Sequence, residues 1–130
     1  MALKITLKPN ERMIIGGAVI TNGSSTVTDF IIENKVPVLR QADILSEKDA
    51  DSPCRRIYFS IQLMYVDNEN QATHYANFWD LAQDLVKAAP SMVGFVDQIS
   101  EHISSNRYYQ ALKLTKKMID YEQEVLSRAK

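Results

Sequence analysis

The hydrophobic period of this chain changes once, and that change decides its fold class. Up to Arg40 apolar residues alternate with polar ones; from Pro53 onward they recur at three- and four-residue spacing. A period of two suits a strand with one buried face, and a period near 3.6 suits an amphipathic helix. Strands followed by helices predict an α+β fold: a small antiparallel β module over 1–45, built as a meander or barrel, then a bundle of about four helices over 46–130.

The alternation is clearest at Leu3, Ile5 and Leu7, which are separated by Lys4 and Thr6 and followed by Lys8. Pro9-Asn10 reads as a turn, Met13-Ile14-Ile15 as a strand, and Gly16-Gly17 as a bulge or tight bend. Ala18-Val19-Ile20-Thr21 resumes extended structure. Asn22-Gly23 is the strongest hairpin signal in the chain. Thr26 to Glu33 and Val36 to Arg40 complete the strands, with Pro37 confining the last to an edge or a bulge.

Residues 42–52 separate the two patterns. Ser46 with Asp49 resembles a capping box, and Ser52-Pro53 is a stronger helix start, a Ser cap followed by Pro at the first helical position. Ile57, Ile61, Met64 and Tyr65 line a first helix. Tyr75, Phe78, Trp79, Ala82, Leu85 and Val86 form the core stripe of a second, stopped by Pro90. Ser91 is positioned to cap a third, with Phe95, Val96, Ile99 and Ile103 along it. After Asn106 a fourth runs from about Arg107 to Ala129, with Tyr108, Ala111, Leu112, Thr115, Ile119 and Leu126 on one side.

A β module of 45 residues is marginal by itself, so it is expected to pack on the helices, pair with a second copy, or do both. With 45% hydrophobic and 24% charged residues, the chain of 130 has the composition of a folded protein. Its net charge of −1 supplies no global attraction for nucleic acid, so any RNA contact must come from a local cluster of cations. The N-terminal residues lack the apolar core of a secretory signal, and no run of about 20 apolar residues is present; the expected setting is the cytoplasm, away from any membrane.

Catalytic and cofactor chemistry finds little support. Gly16-Gly17 is not followed by a phosphate-loop lysine, and no His or Cys accompanies Cys54 at metal-ligand spacing. His74 and His102 read as polar helix-surface residues. Glu122 and Glu124 read as a solvated helix face. Cys54 lies beside Arg55 and Arg56 near a helix start, where its pKa is open to depression, or it is a small, partly buried residue. Arg55-Arg56, in a first turn where the helix dipole disfavours cations, calls for a partner, either an internal acidic residue or an external phosphate or acidic protein. No metal, cofactor or catalytic residue is expected, and the chain reads as a non-enzyme whose surfaces bind. Tyr108 and Tyr109 are consecutive and point in different directions, so they are candidates for a protein contact.

Several strings carry a family resemblance. Leu3-Lys4-Ile5 with Leu7-Lys8-Pro9, Ile32-Glu33-Asn34-Lys35, and Val38-Leu39-Arg40 are similar to the FlbT-type flagellar repressors. So are Arg56-Ile57-Tyr58-Phe59 followed by Ile61-Gln62-Leu63-Met64-Tyr65, and Tyr108-Tyr109-Gln110-Ala111-Leu112. The resemblance implies a post-transcriptional repressor that associates with the 5′ untranslated region of flagellin mRNA and promotes its decay. It also implies a link to a companion regulator, FlaF, or to flagellin itself. Within the β module, Asn10-Glu11, Ile15-Gly16 and Val36 to Arg40 with Ile44 resemble the carbon storage regulators, small RNA-binding β proteins that form intertwined dimers. In that likeness Arg40 matches the key arginine of the last strand, whereas Leu7-Lys8 stands where consecutive arginines are usual and Asn10 replaces a glycine.

The expected assignment is therefore RNA contact by residues 1–45 and partner binding by 46–130. Residues 1–45 hold Lys4, Lys8, Arg12, Lys35 and Arg40 against Glu11, Asp29, Glu33 and Asp43, a net of +1. Arg40, Lys4, Lys8 and Lys35 are the candidate RNA-binding residues. If the first strand lies beside the Arg40 strand, a homodimer gathers cations from both. The alternatives are that these charges only protect sheet edges, and that the chain is an adaptor or chaperone-like protein that reaches the message indirectly.

Overall fold

The computed structural model describes residues 2–128, which divide into two compact units, 2–44 and 45–128. Met1 and Ala129, the expected last residue of the fourth helix, lie outside the described residues.

The first unit holds β1 (Leu3–Leu7), β2 (Arg12–Ile15), β3 (Ala18–Thr21), β4 (Thr28–Ile32) and β5 (Val38–Arg40). β1 pairs antiparallel with β4, with Ile5 opposite Phe30. β2 stands between β3 and β5 in a separate antiparallel sheet. The arrangement is neither a simple meander nor a closed barrel, because β1 passes over β2 and β3 to reach β4. Alternation places Ile5 and Leu7 on one face of β1 and Met13 on one face of β2; these three are fully buried, and Ile15, Ile20, Phe30, Ile32 and Val38 pack against them.

Gly16-Gly17 is the hairpin turn of this unit, closing β2 onto β3 with Ile15 opposite Ala18. Gly16 sits at φ +60, which glycine enters without the cost a Cβ would bring. Asn22-Gly23, the expected hairpin, is not one. The Asn22 side chain is buried and donates to the carbonyls of Leu7 (3.0 Å) and Thr26 (3.1 Å), while its Oδ1 accepts from the Ser24 N–H (3.0 Å). Its backbone N–H donates to the Glu11 carbonyl, and its carbonyl accepts from Asn10. Tied to five groups, Asn22 becomes a junction from which β3 and β4 enter different sheets. Pro37 precedes an edge strand, where its missing N–H costs nothing, and its carbonyl accepts from Gly16 (2.8 Å).

The second unit holds α1 (Pro53–Val66), α2 (Gln71–Ala88), α3 (Val93–Ser104) and α4 (Tyr108–Arg128), with short 3₁₀ turns at Glu47–Asp49, Asn68–Asn70 and Pro90–Met92. Ser52 caps α1, its Oγ accepting from the Arg55 N–H. α1 is buried around much of its circumference, at Cys54, Ile57, Tyr58, Ile61, Gln62 and Met64, because it packs on both α2 and α4. Gln62 clamps the incoming chain: its Oε1 accepts from the Leu45 N–H (2.8 Å) and its Nε2 donates to the Leu45 carbonyl (3.0 Å). Ser91 does not cap α3. It lies inside the 3₁₀ turn, and Met92 precedes the helix without a side-chain cap. Asn106 breaks the chain between α3 and α4 at φ +59.

Glu122 overturns the expectation of a solvated face. The buried positions of α4 run Ala111, Thr115, Met118, Glu122, so the carboxylate occupies the next place on the apolar stripe. There Oε1 accepts from the Ser52 hydroxyl (2.6 Å) and Oε2 from the Cys54 N–H (3.1 Å). An anion is thus set at the N-terminus of α1, where free N–H groups and the helix dipole favour it. Leu126, expected on the core side, is instead 56% exposed. Glu122→Ala is expected to cost about 1–3 kcal/mol by leaving both donors without their acceptor, while Leu126→Ala changes stability by less than about 0.5 kcal/mol. Urea denaturation of the two variants beside the parent checks the contrast.

Candidate nucleic-acid and partner surfaces

Four cations were expected to act together, and the β register separates them. Lys4 points away from the buried face of β1, and its ammonium lies 3.4 Å from Asp29, which the β1–β4 register sets opposite Thr6. A hydrogen bond from the Thr6 hydroxyl (2.7 Å), with Lys4 adding to it, holds the Asp29 carboxyl below the ordinary carboxylate range. Lys4 is therefore already engaged. β1 pairs with β4 and not with the Arg40 strand, so the conditional gathering of cations along neighbouring β1 and β5 edges does not arise within this unit. Lys35 lies in the segment between β4 and β5, at the end of β5 remote from Arg40.

Arg40 and Lys8 share an end of the unit. Arg40 is exposed at the last position of β5, opposite Met13. Lys8 is exposed in the turn that leads into β2, where its N–H donates to the Glu11 carboxylate (2.9 Å) and its carbonyl accepts from the Glu11 N–H. Arg12 is exposed at the first position of β2 and, because Met13 pairs with Arg40, projects from the opposite face of the β2–β5 pair. Its N–H donates to the Gln41 side chain (2.8 Å), which pins the residue after Arg40 beside it. Arg12 entered the sequence reading only as a charge. The signal that includes it is the antiparallel register: β2 begins where β5 ends.

In the helical unit, Tyr109 is 41% exposed with the Lys113 ammonium 5.3 Å from its ring centre. Tyr108 is half-buried against Tyr65, with ring centres 6.2 Å apart, and borders a cleft of about 310 Å³ with Met64, Gln71, Tyr75 and Ile103. Burial raises its hydroxyl pKa, and Tyr75 adds to this. Trp79, expected in the core with Phe78, is 39% exposed, because the buried stripe of α2 runs Phe78, Ala82, Leu85 and leaves position 79 on its shoulder. With Ala82, Val86, Val93 and Val96 it borders a cleft of about 510 Å³.

The remaining sequence candidates have local partners. Arg55 pairs with Asp51 (2.8 Å), an internal answer to the cation in a first helical turn. His74 bonds Asp67 (2.9 Å), holding that carboxyl below its usual range. His102 accepts from the Arg107 guanidinium (3.3 Å). Among the described residues no group of three or more His, Cys, Asp and Glu side chains is placed to hold a metal ion, and no helix is long and apolar enough to cross a membrane. Cys54 is fully buried; burial pushes its thiol up to about 12, and the Glu122 carboxylate beside it acts in the same direction.

Comparison with known proteins gives a consistent match. The family model described as flagellar protein FlbT matches residues 3–126. A probable flagellum biosynthesis repressor protein FlbT of Rhodopseudomonas palustris is 40% identical over 128 residues, 98% of this chain and 100% of the relative. The FlbT 1 protein of Bradyrhizobium diazoefficiens, with the same description, is 38% identical over 125 residues, covering 96% and 85%. The flagellum biosynthesis repressor protein FlbT of Caulobacter vibrioides is 35% identical over 128 residues, covering 97% and 90%. No solved structure matches.

Because nucleophilic attack needs the thiolate, Cys54 is expected to resist a thiol-labelling reagent at pH 8 in the folded protein and to react fully in denaturant. Labelling of the native protein at the rate of a free thiol contradicts the buried, protonated assignment.

Proposed function

The chain belongs to the FlbT family of flagellar proteins, and on that premise we propose that it represses flagellum biosynthesis after transcription by binding the 5′ untranslated region of flagellin mRNA and promoting its decay. The observation that carries the reading is that the exposed Arg40, Arg12 and Lys8 fall at one end of the β unit, Arg40 and Arg12 on opposite faces of the β2–β5 pair, in a chain whose overall charge offers RNA nothing. A local cluster is what phosphate contact requires when the net charge is −1. The unpaired outer edge of β5 adds backbone donors and acceptors beside the Arg40 guanidinium, a combination suited to unstacked bases in a loop. The reading assigns the chain, acting in the cytoplasm, recognition and not catalysis; cleavage of the message falls to other factors.

A second reading is supported by the exposed Trp79 and the Tyr109–Lys113 pair. On it the helical unit is an adaptor that holds flagellin or the companion regulator FlaF and reaches the message only through that partner.

The two separate in one binding experiment with the purified full chain and a labelled flagellin leader. With three cations engaged, the logarithmic salt slope is expected near −2, since each phosphate contact to a single strand contributes about −0.7. Arg40→Ala is expected to weaken binding by about tenfold or more, and a slope shallower by about 0.7 accompanies Arg12→Ala. No binding by folded protein, or binding indifferent to Arg40 and lost with Trp79→Ala, contradicts direct recognition by the β unit.

A further inference from the structure

Arg55 and Arg56 both stand in the first turn of α1, where the helix dipole disfavours a cation. Asp51 answers Arg55 at 2.8 Å. Arg56 has no such answer. It is exposed, and among the described residues its guanidinium makes neither an ion pair nor a hydrogen bond. Phe59 and Leu63 continue its stripe along α1, and the three border a cleft of about 530 Å³ with Glu47, Asn77, Asp80 and Leu81. The apolar members, Phe59, Leu63 and Leu81, are only partly buried, because the core stripes of α1 and α2 run through Ile57, Ile61 and Met64 and through Phe78, Ala82 and Leu85. The polar members are all unengaged: Glu47, Asn77 and Asp80, like Arg56, form no ion pair or side-chain hydrogen bond among the described residues.

We propose that this cleft binds a segment of a partner protein in which an apolar side chain lies between an acidic and a basic residue. The apolar group rests on Phe59, Leu63 and Leu81, the carboxylate meets Arg56, and the cation meets Asp80 and Glu47. The charges select this class. A planar guanidinium grips a carboxylate with two parallel hydrogen bonds. It would hold a phosphate as well, but here two carboxylates oppose one guanidinium and the rest of the lining is largely apolar, which disfavours a nucleic-acid backbone. A wholly acidic segment meets the same repulsion. A wholly apolar one would cover Arg56 and both carboxylates without partners. A segment carrying both signs satisfies all three. From Arg56 to Leu63 the helix rises about 10 Å, the span of about three extended residues, so acid, apolar residue and base fit side by side. Leu81 lies on the opposite side of α2 from Trp79. The site is thus separate from the Trp79 cleft and independent of RNA binding by the β unit.

The blocked tripeptide acetyl-Glu-Leu-Lys-amide is the probe, titrated into the millimolar range against the isotope-labelled full chain and followed by amide NMR. Saturable shifts are expected at Phe59, Leu63 and Leu81, with Trp79 and Arg40 unmoved. Acetyl-Gln-Leu-Gln-amide is expected to bind about fivefold more weakly, since each exposed charge pair contributes modestly. Arg56→Glu is expected to lose the Glu-Leu-Lys peptide and to take acetyl-Lys-Leu-Lys-amide instead, a reversal that an unfolded variant cannot show. Arg56→Gln removes a cation that the free chain does not use, so its midpoint in urea is expected to equal or exceed that of the parent. Absent shifts, equal binding of the Gln-Leu-Gln peptide, or a lowered midpoint for Arg56→Gln overturns the proposal. So does weaker binding of a flagellin leader by Arg56→Gln, which would make Arg56 an RNA contact.

Discussion

Burial of Ile5 and Leu7 against Met13 fixes what the β unit can present outward. With a side-chain period of two, turning Ile5 and Leu7 inward turns Lys4 and Thr6 outward, and a slip of one residue would reverse every position. The same constraint on β4 brings Asp29 to the outer face opposite Thr6, where it meets Lys4 and removes that cation from the available set. On β2, burying Met13 sends Arg12 to the opposite face and puts Arg40 across the strand from Met13. Hydrophobic registry thereby decides how the cations are shared between the two faces: Arg40 stays on the face of Met13 and Arg12 on the other, at the same end of β2 and β5.

An equivalent control operates in the helical unit through one carboxylate. Glu122 accepts from Ser52 and Cys54 at the start of α1, so a side chain near the end of the chain completes a helix that begins some 70 residues earlier. The same contact explains the thiol. A cysteine at a helix start beside two arginines would ordinarily favour its anion, but Arg55 is turned to Asp51 and a carboxylate lies where an anion would form. Burial and Glu122 together outweigh the dipole, and Cys54 is structural.

What was legible in the sequence was whatever a local period carries. The strands near Leu3–Leu7 and Arg12–Ile15, the cap at Ser52-Pro53 and the helices bounded by Pro90 and Asn106 follow from spacing and turn chemistry within a few residues. What was not legible depends on pairing across the chain. Asn22-Gly23 has hairpin chemistry, yet the Asn22 amide is taken by Leu7 and Thr26, and that competition is visible only when β1 lies beside the 22–26 loop. Lys4 reads as a free cation until the register places Asp29 beside it. Glu122 continued the apolar period of α4, but a carboxylate argues for solvent unless its donors on α1 are known. Arg12 became part of the candidate site only once β2 and β5 were seen to run antiparallel.

The claim that the Arg40 end of the β unit is the RNA contact is tested most directly by ultraviolet crosslinking of the full chain to a flagellin 5′ leader, with the crosslinked residues located by mass spectrometry. The account predicts nucleotide adducts concentrated in residues 1–44, around Lys8, Arg12 and Arg40 to Asp43. Adducts confined to residues 45–130, or found equally on an unrelated RNA, would contradict it.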